Sequence, residues 1–79
     1  MKLAKFIRKH RLKANISQSD LGHALGIHGQ QISNIERGAV GLPIKHFKHI
    51  SRALGLTTEL KAHLILLLLD MAEVKKLDS

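Results

Sequence analysis

The chain has 79 residues, and thirteen Lys and Arg against six Asp and Glu give it a formal charge of +7. This length predicts a single domain over residues 1–79, and the absence of cysteine excludes disulfide scaffolds and thiol catalysis. A hydrophobic content of 44% excludes a disordered basic tail. The longest apolar run, Leu64 to Leu69, falls well short of the roughly 20 residues of a membrane span. The first ten residues also lack the apolar stretch of a signal peptide, so we expect a cytoplasmic protein.

The charge is concentrated in the first part of the chain. Residues 1–56 hold ten Lys or Arg but only two acids, Asp20 and Glu36, which gives a balance of +8, whereas residues 57–79 carry −1. Such a basic segment favours a polyanionic partner. An acidic membrane surface would also suit the charge, but no segment pairs a basic face with an apolar face. The charge therefore predicts that residues 1–56 bind nucleic acid and that the protein has no membrane partner.

Turn and capping residues divide the first part of the chain into two helices. The first is predicted over about residues 2–13 and stops near Asn15, a residue that tolerates left-handed backbone geometry. Ser17 is a predicted N-cap for the second helix, and Asp20 completes a capping box with it. Gly26 ends this short helix.

Three more helices are predicted in the rest of the chain. The third runs from about residue 28 to residue 37 and ends at Gly38. Pro43 is predicted as the first residue of the fourth helix, which ends at Gly55. The fifth starts near residue 57 or 58 and reaches as far as Leu77. Because no segment alternates as a strand does, the predicted fold is all-α with five helices.

Motifs at fixed spacing occur in the second and third helices, which are joined by a tight turn containing Gly. They are Ser17-Gln18-x-x-Leu21, Leu25-Gly26-Ile27, and Ile32-x-x-Ile35-Glu36-x-Gly38. Over about residues 3–60 the chain resembles the DNA-binding domain of the Cro/C1 (Xre-like) family of phage and bacterial repressors. The resemblance implies a lambda-repressor-like helix-turn-helix fold that binds double-stranded DNA with its third helix as the recognition helix.

The chain departs from the family pattern at three places. Gly22 stands where the family prefers Ala, which allows a close approach of the second and third helices but lowers helix propensity by roughly 1 kcal/mol. His28 occupies an N-cap position where Ser or Thr is usual, so the cap is weak or is completed by Gln31 or by a DNA phosphate. Residues 38–42 carry no charge, although many relatives place Lys or Arg there.

One face of the third helix has the composition of a surface that reads bases. It carries two amides and Arg37 but no acid, and side-chain amides are the groups that read adenine in the major groove. We therefore predict base reading by Gln30 and Asn34, with Ser33 and Gly29 as positions of close approach to DNA. The alternative is an ordinary solvated face.

Four residues are candidates for contacts with DNA phosphates. The family directs the side chain of the residue at Gln18, together with the N–H groups at the start of the second helix, at a phosphate. His28, Arg37 and Lys45 are further candidates for phosphate contacts, and His28 could instead cap the third helix. A merely solvated side chain is the alternative for each of them.

The resemblance also implies an ion pair between Arg11 and Glu36. Glu36 lies between the core face and the DNA face of the third helix, where an unpaired carboxylate would repel DNA. The family pairs a first-helix Arg with this Glu, and breaking such a buried pair typically costs about 3–5 kcal/mol.

Catalysis, metals and cofactors are not predicted. His46 and His49 have the spacing of a chelating pair, but they have no third ligand in the sequence, and Lys45 and Lys48 would repel a cation. No set of residues has the pattern of a catalytic triad, a phosphate-binding loop or paired carboxylates. We expect a protein that is not an enzyme and needs neither metal nor cofactor.

The predicted fifth helix is apolar on two opposed sides, so both sides must be buried. One side consists of Leu60, Leu64, Leu67, Leu68, Met71 and Val74. The other consists of Ala62, Ile65, Leu66, Leu69 and Ala72. A second copy of the chain could cover one of them, so residues 57–79 are predicted to form a dimerisation helix, with Ile65, Leu66, Leu69 and Ala72 at the interface. A helix sunk in its own core, and the opposite choice of side, remain alternatives.

Together these patterns predict a sequence-specific, double-stranded DNA-binding transcriptional regulator, a repressor that acts as a homodimer on an inverted repeat. One alternative is an antitoxin-type protein whose fifth helix binds another protein, and a second is an activator with the same fold. The sequence is compatible with a phage, a mobile element, a restriction–modification operon or a toxin–antitoxin pair.

Overall fold

The computed structural model describes the backbone of residues 2–78 and the side chains of residues 2–69. The helices in chain order are α1 (Lys2–Lys13), α2 (Gln18–Leu25), α3 (Gly29–Glu36), α4 (Phe47–Ala53) and α5 (Thr58–Asp78). No strand occurs in this part of the chain. The prediction of an all-α fold with five helices is confirmed.

The helix ends follow the local chemistry of the sequence. At the start of α2 the Asp20 backbone N–H donates to Ser17 Oγ at 2.9 Å, and the Ser17 N–H donates to Asp20 Oδ2 at 3.5 Å. This reciprocal capping box satisfies two backbone donors that the first turn of a helix leaves free. Asn15 and Gly26 have φ angles of +59° and +73°, the left-handed conformation in which α1 and α2 end.

The segment before α4 differs from the prediction. Pro43 has an extended backbone with ψ of 139°, so it precedes the helical residues instead of being the first of them. Its carbonyl accepts a hydrogen bond from the His46 N–H at 3.0 Å, which closes a 3-10 turn over Ile44–His46. The α-helix proper begins only at Phe47, and it ends at Ala53 before the left-handed Gly55.

The hydrophobic core draws on all five helices. Ile7, Leu21, Ile32, Ile50 and Leu64, one from each helix, are fully buried. Around them pack the buried side chains of Leu3, Phe6, Leu25, Ile35, Leu42, Leu54, Leu56, Leu67 and Leu68. The α5 helix therefore contributes to the core of its own chain and packs against α1, while α3 packs against α1 and α2 packs against α4.

The two sides of α5 have different surroundings. Leu64, Leu67 and Leu68 are buried in the core, whereas the side chains of Leu66 and Leu69 are 60% and 48% exposed. Ile65 is half-buried and Ala62 is exposed. Ala72, the fourth residue of the predicted interface, lies outside the residues whose side chains are described.

Length and hydropathy bear on membrane insertion as well. Among the described residues, no helix combines the length and the apolar character needed to cross a membrane.

Candidate functional site

The turn between α2 and α3 is unusually close-packed, and Gly22 makes this possible. The Ile27 backbone N–H donates to the Gly22 carbonyl at 2.8 Å. A Cβ atom at position 22 would lie 2.8 Å from the Ile27 oxygen and 2.9 Å from the carbonyl carbon of His28. Both neighbours are backbone atoms, which cannot give way as a flexible side chain can. The turn therefore follows a path that the Ala typical of the family would obstruct.

A second glycine brings α3 against α2 at its other end. A Cβ atom on Gly29 would lie 3.0 Å from Ser19 Cα and 3.2 Å from the Ser19 nitrogen. The open side of Gly29 thus faces the backbone of α2, which gives this residue a role in helix packing. Its predicted close approach to DNA remains a prediction.

The start of α3 is capped by Gln31. The His28 backbone N–H donates to Gln31 Oε1 at 2.9 Å, so of the two completions left open by the sequence the structure contains the one from Gln31. His28 adopts the extended N-cap conformation, with φ of −82° and ψ of 151°, and is exposed. Its imidazole lies at the end of the helix where backbone N–H groups attract anions.

The side chains of Gln30, Asn34 and Arg37 lie together on the exposed face of α3. Gln30 Nε2 donates to Asn34 Oδ1 at 3.2 Å, and Arg37 Nη2 donates to the same oxygen. Gln30 and Arg37 are exposed, while Asn34 and Ser33 are half-buried. The structure therefore brings together three of the predicted DNA-contacting residues on one surface. Within residues 2–69, no acidic side chain forms a hydrogen bond or an ion pair with any of the three.

The Arg11 and Glu36 side chains form a bidentate ion pair between α1 and α3. Arg11 Nε is 2.6 Å from Glu36 Oε2, and Arg11 Nη2 is 3.1 Å from Oε1. Arg11 Nη1 also donates to the Ile16 carbonyl at 2.9 Å, and only 3% of the Glu36 side chain is exposed. The hydrogen bonds to Glu36 raise the pKa of Arg11 against the opposing effect of its burial. The only acid of α3 is thus neutralised before any anion approaches.

Gln18 joins this ion pair. Its Nε2 donates to Glu36 Oε1 at 3.2 Å, so the first residue of α2 is tied to the last residue of α3. Gln18 is half-buried and keeps its amide oxygen and a second amide hydrogen for other partners.

Lys45 lies at some distance along the chain, in the 3-10 turn before α4. It is exposed and lines an open groove of about 510 Å³ whose other walls include Ile27, Gln31 and His49. His46 lines the same groove. Burial, followed by the charges of Lys45 and His49, lowers the pKa of His46. Within the part of the chain that the structure describes, no group of three or more His, Asp or Glu side chains could hold a metal ion.

Of the contacts in the site that were not predicted from the sequence, two differ in the signal that they leave in the sequence. The Asn34–Arg37 hydrogen bond joins residues three apart, and that helical spacing could have revealed it. The Gln18–Glu36 contact joins residues from two helices and has no local signal, because it depends on the packing angle of α2 and α3.

Comparison with known proteins adds one finding. A family model described as "Helix-turn-helix" matches residues 7–61, which contain α2, α3, α4, most of α1 and the first residues of α5. No curated protein and no solved structure matches the chain.

Proposed function

The chain belongs to the Cro/C1-type helix-turn-helix family of DNA-binding regulators, and we propose that it is a repressor that binds an inverted-repeat operator as a homodimer. The observation that carries this proposal is the exposed face of α3. Gln30, Asn34 and Arg37 project from it together, while the one carboxylate of the helix is held by Arg11. A polar face without negative charge suits the floor of the major groove, which an α-helix can enter.

Base recognition falls to the exposed part of α3. Gln30 has an amide that can accept from adenine N6 and donate to N7 together. Ser33 is half-buried and short, so it allows the helix to lie deep in the groove. Gly22 and Gly29 allow α3 to pack closely against α2, and this packing sets how far the exposed face of α3 projects towards the DNA.

Phosphate contacts are assigned to residues around that surface. Gln18 stands at the start of α2, where the free N–H groups and the helix dipole favour an anion. His28 marks the start of α3, and Lys45 projects from the turn before α4. These contacts orient the protein on the duplex without reading its sequence.

A second copy of the chain is the proposed occupant of the outer face of α5. Leu66 and Leu69 are large apolar side chains that are 60% and 48% exposed, and the half-buried Ile65 precedes Leu66 in the same helix. Burying them against the same face of another copy produces a two-fold axis. A two-fold dimer presents two recognition helices, so its site is an inverted repeat with half-sites roughly 34 Å apart.

Selection of bound sequences from random duplex DNA tests the proposal with the full chain. Enrichment of an inverted repeat with the expected half-site spacing supports it, and enrichment of no motif contradicts sequence-specific binding. On the enriched duplex the logarithm of the binding constant should fall with the logarithm of salt concentration by about 0.9 per phosphate neutralised. An affinity that does not change between low and physiological salt would contradict the phosphate contacts.

The exposed apolar face of α5 also favours a second candidate, an antitoxin-type protein that binds another protein through this helix. The mass of the purified chain in solution distinguishes the two. A dimer supports the regulator, whereas a monomer or an aggregate supports a missing protein partner. Transcription in vitro from a promoter that overlaps the selected site then separates a repressor from an activator.

A further inference from the structure

The amide oxygen of Asn34 is already occupied. Oδ1 accepts hydrogen bonds from Gln30 Nε2 at 3.2 Å and from Arg37 Nη2, and an amide oxygen has two lone pairs to offer. Reading adenine requires an amide to accept and donate at the same time. While both donors hold its oxygen, Asn34 presents only N–H groups to a base, which does not match the adenine predicted for it from the sequence.

Arg37 is drawn onto the same face by this contact. It lies one helical turn after Asn34, is exposed, and gives one of its five N–H donors to Asn34 Oδ1. Within residues 2–69 the ion pair found is that of Arg11 with Glu36, so no carboxylate there neutralises Arg37. The remaining donors of its guanidinium therefore lie beside Gln30 and Asn34, on the surface that meets the bases.

We propose that Arg37 reads a guanine in the major groove and that Asn34 is the positioning residue that holds its guanidinium. This rests on the proposed function, because α3 must lie in the major groove. Guanine offers two acceptors, O6 and N7, which match the planar fork of donors on arginine. Adenine places an N–H₂ donor where guanine has O6, so adenine is disfavoured at this base pair. Arg37 is thereby a specificity-determining residue instead of the phosphate contact predicted from the sequence.

The test compares the sequences selected from random duplex DNA by the wild-type chain, Arg37→Lys and Arg37→Ala. The wild type should specify a guanine in each half-site, and both variants should lose that preference while the other positions of the motif persist. On the wild-type site each variant should bind roughly 5- to 150-fold more weakly, with a much smaller loss on a site whose guanine is replaced. Arg37→Lys is decisive, because it keeps the charge but removes the fork.

A phosphate contact predicts a different set of results. In that case Arg37→Ala weakens binding to all sequences alike, lowers the salt slope by about 0.9, and leaves the motif intact, while Arg37→Lys binds nearly as the wild type does. This outcome overturns the proposal but leaves the proposed function standing. If the wild-type chain selects no motif, the proposed function fails and the inference fails with it.

Two further variants complete the experiment. Asn34→Ala should reduce the preference for the same guanine, because the guanidinium loses the acceptor that holds it, and an unchanged preference would contradict the positioning role. Arg8→Ala removes an exposed positive charge from α1 and serves as the matched control. It should leave every position of the motif unchanged.

Discussion

Gln18 Nε2 donates a hydrogen bond of 3.2 Å to Glu36 Oε1, the carboxylate that also pairs with Arg11. Only 3% of the Glu36 side chain is exposed, so these donors, and not water, solvate the carboxylate. A residue at the proposed phosphate site and a structural ion pair therefore share one oxygen atom. This network joins α1, α2 and α3, and changes at its members should separate into effects on stability and effects on binding.

Removing Arg11 should destabilise the fold. Arg11→Met keeps most of the length of the side chain but leaves the Glu36 carboxylate and the Ile16 carbonyl without the guanidinium. We expect the free energy of unfolding in urea to fall by about 3–5 kcal/mol, because a stranded buried charge is costly. Arg8→Ala, an exposed arginine of the same helix, should change it by less than about 0.5 kcal/mol. A similar small change for Arg11→Met would show that the pair contributes little.

Gln30→Ala and Gln18→Ala should weaken DNA binding in different ways. Gln30→Ala should cost about 1–3 kcal/mol on the selected site and flatten the preference for adenine at one base pair, because it removes a base contact. Gln18→Ala should weaken binding to selected and scrambled duplexes almost equally, because a phosphate has no base identity. Titrations with both duplexes measure the difference.

Circular dichroism must show native helix content in both variants for this comparison to hold. Neither residue is part of the core, so we expect the fold to persist. An equal loss for Gln30→Ala on selected and scrambled DNA would mean that this residue does not read a base.

Charged substitutions on the outer face of α5 should separate the proposed dimer without unfolding the chain. Leu66→Lys combined with Leu69→Lys should give folded monomers by light scattering, because both side chains are exposed in the single chain. The matched pair Leu64→Lys and Leu67→Lys should unfold it, since these positions are buried in the core. A double variant at 66 and 69 that remains a dimer would place the interface elsewhere.

The stability of the fold should decrease as the pH falls below about 6.5. His10 is buried on α1, and the centroid of its ring lies 4.4 Å from that of Phe6. Burial is the largest cause that lowers the pKa of His10, and the positive charges of Lys9 and Lys13 lower it further. Because the pKa of His10 is lower in the folded state, the unfolded chain binds the proton first as the pH falls through about 6.5. The free energy of unfolding therefore decreases with decreasing pH until the pH is below the pKa of His10 in the folded state.

Unfolding in urea at several pH values between 7.5 and 5.5 measures this dependence. His10→Phe should reduce the slope, because an aromatic ring remains but one titrating group is gone, while His46, whose pKa is also lowered by burial, keeps the rest of the dependence. A slope that is the same in the variant and the wild type would assign the dependence to other groups.

The fold could be predicted from the sequence where a local rule decides the structure. Ser17 with Asp20, and Gly26, fix the ends of α2 through bonds and backbone angles that depend on neighbouring residues alone. The start of the fourth helix is predicted one turn too early, at Pro43 instead of Phe47, because the choice between a 3-10 turn and an α-helix at Ile44–His46 is a small energy difference that packing decides.

The candidate site divides in the same way. The grouping of Gln30, Asn34 and Arg37 follows from helical periodicity, so the sequence predicts it. Periodicity does not determine which oxygen accepts from which donor, so the acceptor that Gln30 and Arg37 share on Asn34 is known only from the structure. The role of Gly29 depends on its distance to the backbone of Ser19, a quantity set by two helices together.

The core extends past both ends of the segment that the family model matches, residues 7–61. Among the described side chains, the buried apolar ones outside it are Leu3, Ala4, Phe6, Leu64, Leu67 and Leu68. Burial of the five large ones contributes on the order of 10 kcal/mol of hydrophobic free energy, and a small domain whose net stability is only about 5–15 kcal/mol cannot lose that contribution and stay folded. The matched segment consequently does not contain a complete hydrophobic core. A chimera that includes it must also include the first turns of α1 and the middle of α5.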